Sequence, residues 1–397
     1  MTDPELTHRD RCAIAGIGVT DYSKDSGRSE LTLATQATLA ALEDAGLTPA
    51  DVDGVVHCDY DLVLPFDLSE ALGLELTYWS SVAVGGVSPA GMVGQAVAAI
   101  LSGQATTVVV YRSINGRSGR RMGAGWGTMN NPRVGGKQTW DEFYLPYGIL
   151  SPGQFFGLVA QRHMTRYGTT REQLGHIALV SRERANANPQ AQMYERKLTM
   201  EDYLAAPALS EPLHLFDFCL ETDGANAVVV TTAERARDLR RPPALIRAVA
   251  QATVRGGQGG KMWPVLTRDD ITMMSSRRLA PILYGRAGLG PSDIDVAQIY
   301  DCFTITALLQ LEDYGFCEVG EGGPFAASGA LDLHGSIPMN TSGGHLSEAY
   351  IHGMNHVVEG VRQVRGESTS QVPGAETVLV TSGPPIATTG LILRKDA

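Results

Sequence analysis

Residues 45–53 read AGLTPADVD, and residues 287–295 read AGLGPSDID. Six of the nine positions are identical, at an offset of 242 residues. In each copy a glycine closes a helix, because the left-handed backbone of a helix C-terminus favours a residue without Cβ. Pro and Asp then shape a turn. An apolar run follows as a buried strand, GVV in the first copy and VAQIY in the second. The same helix–turn–strand wording at two places indicates a duplicated α/β unit.

A second match follows in the same order. Gly85-Gly86 precedes the apolar-periodic SPAGMVGQAVAAILSG and the strand-like TTVVVY, and Gly343-Gly344 precedes a helix expected to end near Gly366 and the strand ETVLV, at an offset of 258. Between the copies, roughly 115–215, nothing repeats. That stretch is rich in Arg, Gly, Asn, Met and Tyr and reads as a large insertion with short, irregular helices. DGANAVVVTTAERARDL (223–239) reads as the last strand and exit helix of the first half, Arg240-Arg241-Pro242-Pro243 as the crossing, and ALIRAVAQAT as the first strand of the second. The expected organisation is an N-terminal half over 1–115, an inserted loop domain over 116–215, the end of the N-terminal half over 216–240, and a C-terminal half over 241–397.

Composition narrows the function. With 43% hydrophobic and 19% charged residues in 397, the chain is ordinary for a compact enzyme. A net charge of −11 without a long basic run argues against nucleic acid as a partner. No run approaches the length of a membrane span, and MTDPELTHRDRC lacks the apolar core of a secretory signal. Five cysteines without a Cys-x-x-Cys pair suit a reducing cytoplasm and argue against a disulfide framework or a zinc ribbon.

Four blocks carry a resemblance to the thiolase superfamily, in its sterol-carrier and lipid-transfer branch: CAIAGIGVTDYS (12–23), the Gly-Gly helix after Val84, IYDCFT (299–304) and MNTSGGHLSEAYIHG (339–353). The resemblance runs from about Ala13 to Leu393. It implies an α/β thiolase fold, a five-layered αβαβα sandwich of two similar halves, usually a dimer, with the insertion covering the active site.

Three departures from that family decide the chemistry. The position of its acylated cysteine falls on Val87, its activating histidine on Tyr350, and its acid/base cysteine at or beside Ser382. Valine carries no nucleophile, so acyl-enzyme chemistry of the thiolase type is excluded. Tyr300 stands where the branch often has His. Two phenols thus replace imidazoles, which suits proton movement at oxygen and at an enolate carbon. A phenol acting as a free base would need its pKa lowered by roughly 2–3 units from ~10, or would have to lose its proton in concert with another transfer. The pattern favours retro-aldol cleavage of a β-hydroxyacyl-CoA, with Tyr300 and Tyr350 dividing the two proton transfers and Tyr300 preferred as the base. The N–H groups of Val87 and Gly383 are oxyanion candidates by the resemblance, and His352 is expected to orient Tyr350 or touch the thioester. The sequence resembles the steroid aldolases of bacterial sterol side-chain degradation. That implies a 17-hydroxy steroid with a three-carbon CoA-thioester side chain as substrate, and a 17-keto steroid and propionyl-CoA as products. CoA is then part of the substrate, and no cofactor is expected in this chain. The resemblance alone also implies a small partner with an OB-fold and a zinc ribbon.

Other patterns point elsewhere. Gly86-Val-Ser88-Pro-Ala90 resembles a hydrolase elbow, but Pro89 lacks the N–H that the elbow needs, so Ser88 is expected to cap the helix. Gly16-Ile-Gly18 lacks the third glycine of a dinucleotide fingerprint and is expected to form a tight turn after the first strand. Glu348, His352 and His356, at i, i+4 and i+8, would share one helical face, but Gly353 interrupts it and no metal is expected. Cys302 is either a packed thiol or the nucleophile of a divergent acyl-CoA acyltransferase. Arg117, Arg120, Arg121, Arg133 and Lys137 either meet CoA phosphates or are solvated. A further alternative is a non-catalytic lipid or acyl-CoA carrier, or a scaffold for another enzyme.

Overall fold

The computed structural model describes residues 8–83, 85–119, 121, 145–149, 151–254, 268–385 and 387–396. The strands are β1 (Cys12–Val19), β2 (Gly54–Cys58), β3 (Tyr78–Val82), β4 (Thr107–Asn115), β5 (Ala208–Ser210), β6 (Leu213–His214), β7 (Asp223–Thr232), β8 (Ala244–Thr253), β9 (Val296–Gln298), β10 (Thr377–Thr381) and β11 (Ala387–Lys395). Among the described residues, β5 and β6 pair apart from the rest, and the others run in the order β3-β2-β4-β7-β1-β8-β11-β10-β9.

Folded at the β1–β8 junction, that order is one topology written twice. In the first half β2 and β4 are parallel, and β4–β7 and β7–β1 are antiparallel. In the second half β9 and β10 are parallel, and β10–β11 and β11–β8 are antiparallel. The counterpart of edge strand β3 shrinks to a single parallel bridge, Ala297 to Met339. The halves join where Ala13 pairs Leu245 and Ile14 pairs Ala244.

The repeated residues do the same work in both halves. Gly46 and Gly288 end their helices at φ 75° and 70°. The next turn is closed by a carboxylate, with Asp51 accepting from Thr48 N–H at 2.9 Å and Asp293 from Gly290 N–H at 2.7 Å. Asp53 accepts the N–H groups of Thr106 and Thr107 at the start of β4, and Asp295 accepts those of Glu376 and Thr377 at the start of β10. These two aspartates are identical because each fixes the entry of a buried strand whose N–H groups need an acceptor.

The layers follow from burial. The Glu30–Ala45 helix packs on β1, β4 and β7, and the Ser276–Ala287 helix on β8 and β11. Against the two halves of the nine-stranded order lie the helices Ser88–Leu101 and Met354–Arg365, each touching strands of both halves. Ten of fourteen residues of the first inner helix and ten of twelve of the second are buried, against seven of sixteen in the outer Glu30–Ala45 helix. Burial on nearly all sides marks the inner layer, and in the second of these helices it takes in Asn355, His356, Glu359 and Gln363. Gly91 and Gly94 admit the second half's sheet, since a Cβ there would come within 2.9 Å of Thr389 and 2.8 Å of Val249.

Two expectations are corrected. Gly16 and Gly18 do not form a turn: both lie inside β1, where a Cβ would meet the carbonyl oxygens of Ala41 at 2.1 Å and Ala37 at 2.0 Å. They are the bare strip on which the first helix rests. The inserted stretch, expected to hold short irregular helices, contains two regular ones, Pro152–Tyr167 and Arg171–Ala187. Thr170 caps the second through Gln173 N–H, so a capping pattern was present under the polar composition.

Candidate active site

Three loops converge at the N-terminus of the Ser88–Leu101 helix. The first, Gly85–Val87, forms a 3₁₀ turn into it. The second leaves β9 and carries Tyr300, whose N–H donates to Thr381 Oγ1 at 2.8 Å and whose carbonyl accepts from Gln310 Nε2 at 2.7 Å. The third runs from Asn340 to Gly353. Asn340, at φ 48°, clamps it to the second: its side chain accepts from Ile299 N–H at 2.7 Å and donates to Ile299 carbonyl at 3.0 Å. After Gly343 the chain makes a π-helical turn, Gly344–Glu348, which delivers Tyr350 with its N–H on Thr222 Oγ1 at 2.8 Å.

The two tyrosines meet. Their phenol oxygens are 2.7 Å apart, a good hydroxyl–hydroxyl hydrogen bond. Tyr300 also presses on Gly86, where a Cβ would lie 1.9 Å from its phenol oxygen. Only glycine permits that approach. Burial pushes both phenols well above the ordinary tyrosine range, so both stay protonated at neutral pH. A free phenolate base does not fit this environment; a concerted transfer does.

Around the phenols stand three imidazoles. His345 was missed in the sequence, although it directly follows Gly343-Gly344. Its ring lies edge-on to Tyr300 at 4.5 Å and to Tyr350 at 4.9 Å, and tilted against His356 at 4.1 Å. Asp301, also missed, lies beneath them, accepting from His345 N–H at 2.8 Å and Leu346 N–H at 3.3 Å. Its Oδ1 is 3.2 Å from both His345 Nδ1 and His356 Nε2, but only the His356 contact has hydrogen-bond geometry. By donor type Asp301, His345 and His356 could hold a divalent cation. The hydrogen bonds already made by Asp301 describe it equally well as a brace. Burial holds His345 and His352 well below the usual imidazole range, so both rings are neutral.

His352 is 1% exposed, at φ 48°, with its ring edge-on to Tyr350 at 4.7 Å and its Nδ1 in contact with the Arg112 guanidinium. Glu348, His352 and His356 share no helical face, in keeping with the interruption read at Gly353, which lies at φ 92°. The helix begins only at Met354, and Glu348 turns instead to Ser342, Asn355 and Asn188.

Val87 lies at the helix mouth, buried, its carbonyl accepting from Thr389 Oγ1 at 2.6 Å. Gly383 is corrected as an oxyanion donor: its N–H already donates to Gly86 carbonyl at 2.8 Å. Ser88 is corrected as a cap: its hydroxyl donates to Gly85 carbonyl at 2.6 Å and accepts no helix N–H. Cys302 is buried, with its thiol pushed up to about 12, and Cys58 reaches Gly85 carbonyl with its thiol at about 11. Neither offers a ready thiolate. Arg117 and Arg121 pair with Glu221 on the surface, while Arg120, Arg133 and Lys137 lie outside the described residues.

Comparison with known proteins agrees with this geometry. Residues 257–393 match the family model described as thiolase C-terminal domain-like. A steroid side-chain-cleaving aldolase of Thermomonospora curvata is 45% identical over 97% of this chain and 98% of its own length. The 17-hydroxy-3-oxo-4-pregnene-20-carboxyl-CoA lyase of Mycobacterium tuberculosis is 42% identical over 96% of this chain and 99% of its own. The solved structure of an Ltp2-ChsH2(DUF35) aldolase superposes with a TM-score of 0.92 at 43% identity, covering 98% of this chain and 99% of that one. These identities over nearly the whole of each chain show that the chain belongs to the thiolase superfamily and, within it, to the family of these side-chain-cleaving aldolases, carbon–carbon lyases rather than thiolases.

Proposed function

We propose that the chain cleaves a 17-hydroxy steroid bearing a three-carbon CoA-thioester side chain, by a retro-aldol reaction, to a 17-keto steroid and propionyl-CoA. The observation that carries this reading is the pair of protonated phenols 2.7 Å apart at a helix mouth that offers Val87 in place of a thiol. The substrate hydroxyl gives its proton to one phenol oxygen as that phenol passes its own to the second. The bond between the carbinol carbon and the α carbon breaks, the carbinol becomes a ketone, and the electron pair forms the thioester enolate. As the second phenol receives that proton it releases its own to the α carbon, so neither oxygen ever carries two protons and the enolate charge is only transient. One proton moves from oxygen to carbon, and neither tyrosine needs to exist as a free phenolate. We assign the thioester oxygen to the Val87 end of the fourteen-residue helix, whose dipole favours developing negative charge.

Product analysis by mass spectrometry tests the reading. Enzyme, a DUF35-type partner and hydroxylated steroid-CoA should give propionyl-CoA and the 17-keto steroid without added free CoA. Intact substrate in every combination would instead support a carrier or scaffold. Iodoacetamide-sensitive product formation would support an acyltransferase using Cys302. The partner, with an OB-fold and a zinc ribbon, is proposed because the aldolase at 43% identity is a complex with a DUF35 protein. Co-expression followed by size-exclusion chromatography should show the two chains eluting together.

We also propose a homodimer formed through β3. It is an edge strand among the described residues, and its exposed Trp79 meets exposed Phe66 edge-on at 5.3 Å, with Leu62 and Leu64 also exposed in the segment leading to Phe66. An apolar patch on an open sheet edge is a site of strand pairing. Trp79→Lys is expected to halve the mass seen by light scattering. A variant that keeps the wild-type mass would rule this surface out.

A further inference from the structure

Arg112 is the largest fully buried side chain in the described protein, and it lies on β4 with no part in the proton relay. Its NH1 is 3.2 Å from Asp61 Oδ1, and both side chains are wholly shielded from solvent. The angles of that contact fall short of a hydrogen bond: NH1, Nε and Asp61 Oδ1 all lack a hydrogen-bond partner. A buried pair so poorly satisfied is not a stability device. Asp61, raised by burial and only partly held down by Arg112, leaves the cation incompletely balanced.

The remaining guanidinium nitrogen shows what the charge faces. Arg112 NH2 meets His352 Nδ1. A guanidinium can only donate, so Nδ1 accepts and the imidazole is neutral. His352 is held at φ 48°, a left-handed backbone that a residue with a side chain adopts at a cost and that persists where the surroundings enforce it. Its ring props Tyr350, whose phenol bonds Tyr300. The titratable groups around Arg112 are Asp61, Cys58, His57, Tyr111, His352, Tyr300 and Tyr350.

We propose that Arg112 is a positioning residue of the lyase: through His352 it fixes Tyr350, and its buried positive charge, tuned by Asp61, stabilises negative charge as it develops on the phenol pair and the enolate. This inference deepens the retro-aldol reading and rests on it, but part of its test needs no turnover.

Arg112→Met, Arg112→Lys and Asp61→Asn are compared with the wild type. In kinetics, Arg112→Met should lower kcat about tenfold or more with KM nearly unchanged, and Arg112→Lys should recover most of the loss, a split that lost packing would not produce. Independently, NMR of 13Cζ-labelled tyrosine reads how readily Tyr300 and Tyr350 ionise. Asp61→Asn should move the onset of ionisation to lower pH, and Arg112→Met should move it higher. Opposite signs from two partners of one ion pair identify a charge effect. If Arg112→Met fails to fold, the near-isosteric Asp61→Asn decides alone. An unmoved or later onset in Asp61→Asn, or equal kcat in Arg112→Met and the wild type, overturns the proposal. A wild-type enzyme that releases no propionyl-CoA would sink the aldolase reading instead, and the tyrosine titration would still decide the role of Arg112.

Discussion

Replacing either Tyr300 or Tyr350 with Phe is expected to lower kcat for propionyl-CoA release about 10²–10⁴-fold, the usual range for losing a positioned proton-transfer group. The argument is geometric. The phenols are one link apart at 2.7 Å, so removing either hydroxyl interrupts the path from substrate oxygen to carbon. The double variant should therefore be little worse than either single one, as expected for residues that act as a unit. Each single change also leaves the remaining hydroxyl short of a partner, which costs about 1–3 kcal/mol of stability. Because burial raises both phenols above their ordinary range, neither of them titrates between pH 6 and 9, and the shallow inflection expected there belongs to Asp61, which burial raises to about 7 beside Arg112. A free phenolate base would instead gain about tenfold per pH unit below its pKa. Unchanged turnover in both single variants would end the relay account, and a tenfold rise per unit would replace it with an ionised tyrosine.

Gly86→Ala should be nearly as damaging although it removes no functional group. Its new Cβ would lie 1.9 Å from the Tyr300 phenol oxygen and 2.5 Å from Cζ, so something must move. Tyr300 has little room to retreat. Thr381 and Gln310 hold its backbone on both sides, and His345 packs on its ring. The phenol is therefore driven off Tyr350. A displacement of about 1 Å in a catalytic group costs on the order of 10²-fold in rate, and the overpacking costs about 1–3 kcal/mol in a thermal melt. Gly285→Ala is the control, because nothing lies within 4 Å of a Cβ there and it sits inside a helix. That variant should melt at the wild-type temperature or slightly above, with wild-type activity. Gly86→Ala behaving like Gly285→Ala would mean that the Tyr300 position does not matter.

Some of this was legible because it is local. The doubled AGLxPxDxD turn carries its own reasons, in that a glycine closes each helix and two aspartates cap the turn and the next strand. The strand ALIRAVAQAT emerged as β8 over the same residues. Local signals failed where a residue's role depends on what packs against it. Gly16 and Gly18 read as a turn because a strand interior seldom wants glycine, and only the helix resting on them explains the exception. Glu348, His352 and His356 had helical spacing, and two left-handed residues, His352 and the Gly353 already legible as an interruption, keep the line from forming. Arg112 and Asp61 are far apart in the chain and carry no motif, so nothing local could mark them as a buried pair.

The sequence by itself narrowed the chemistry: by its resemblance to thiolases the acylated position falls on Val87, and an isopropyl group cannot be acylated. It also supplied two phenols at the ends of two loops. Whether they cooperate was decided by the tertiary structure alone. The Asn340 clamp and the Ala297–Met339 bridge set the register between loops fifty residues apart, and hydrogen bonding falls off within a fraction of an ångström, so only that register turns two tyrosines into one path for a proton.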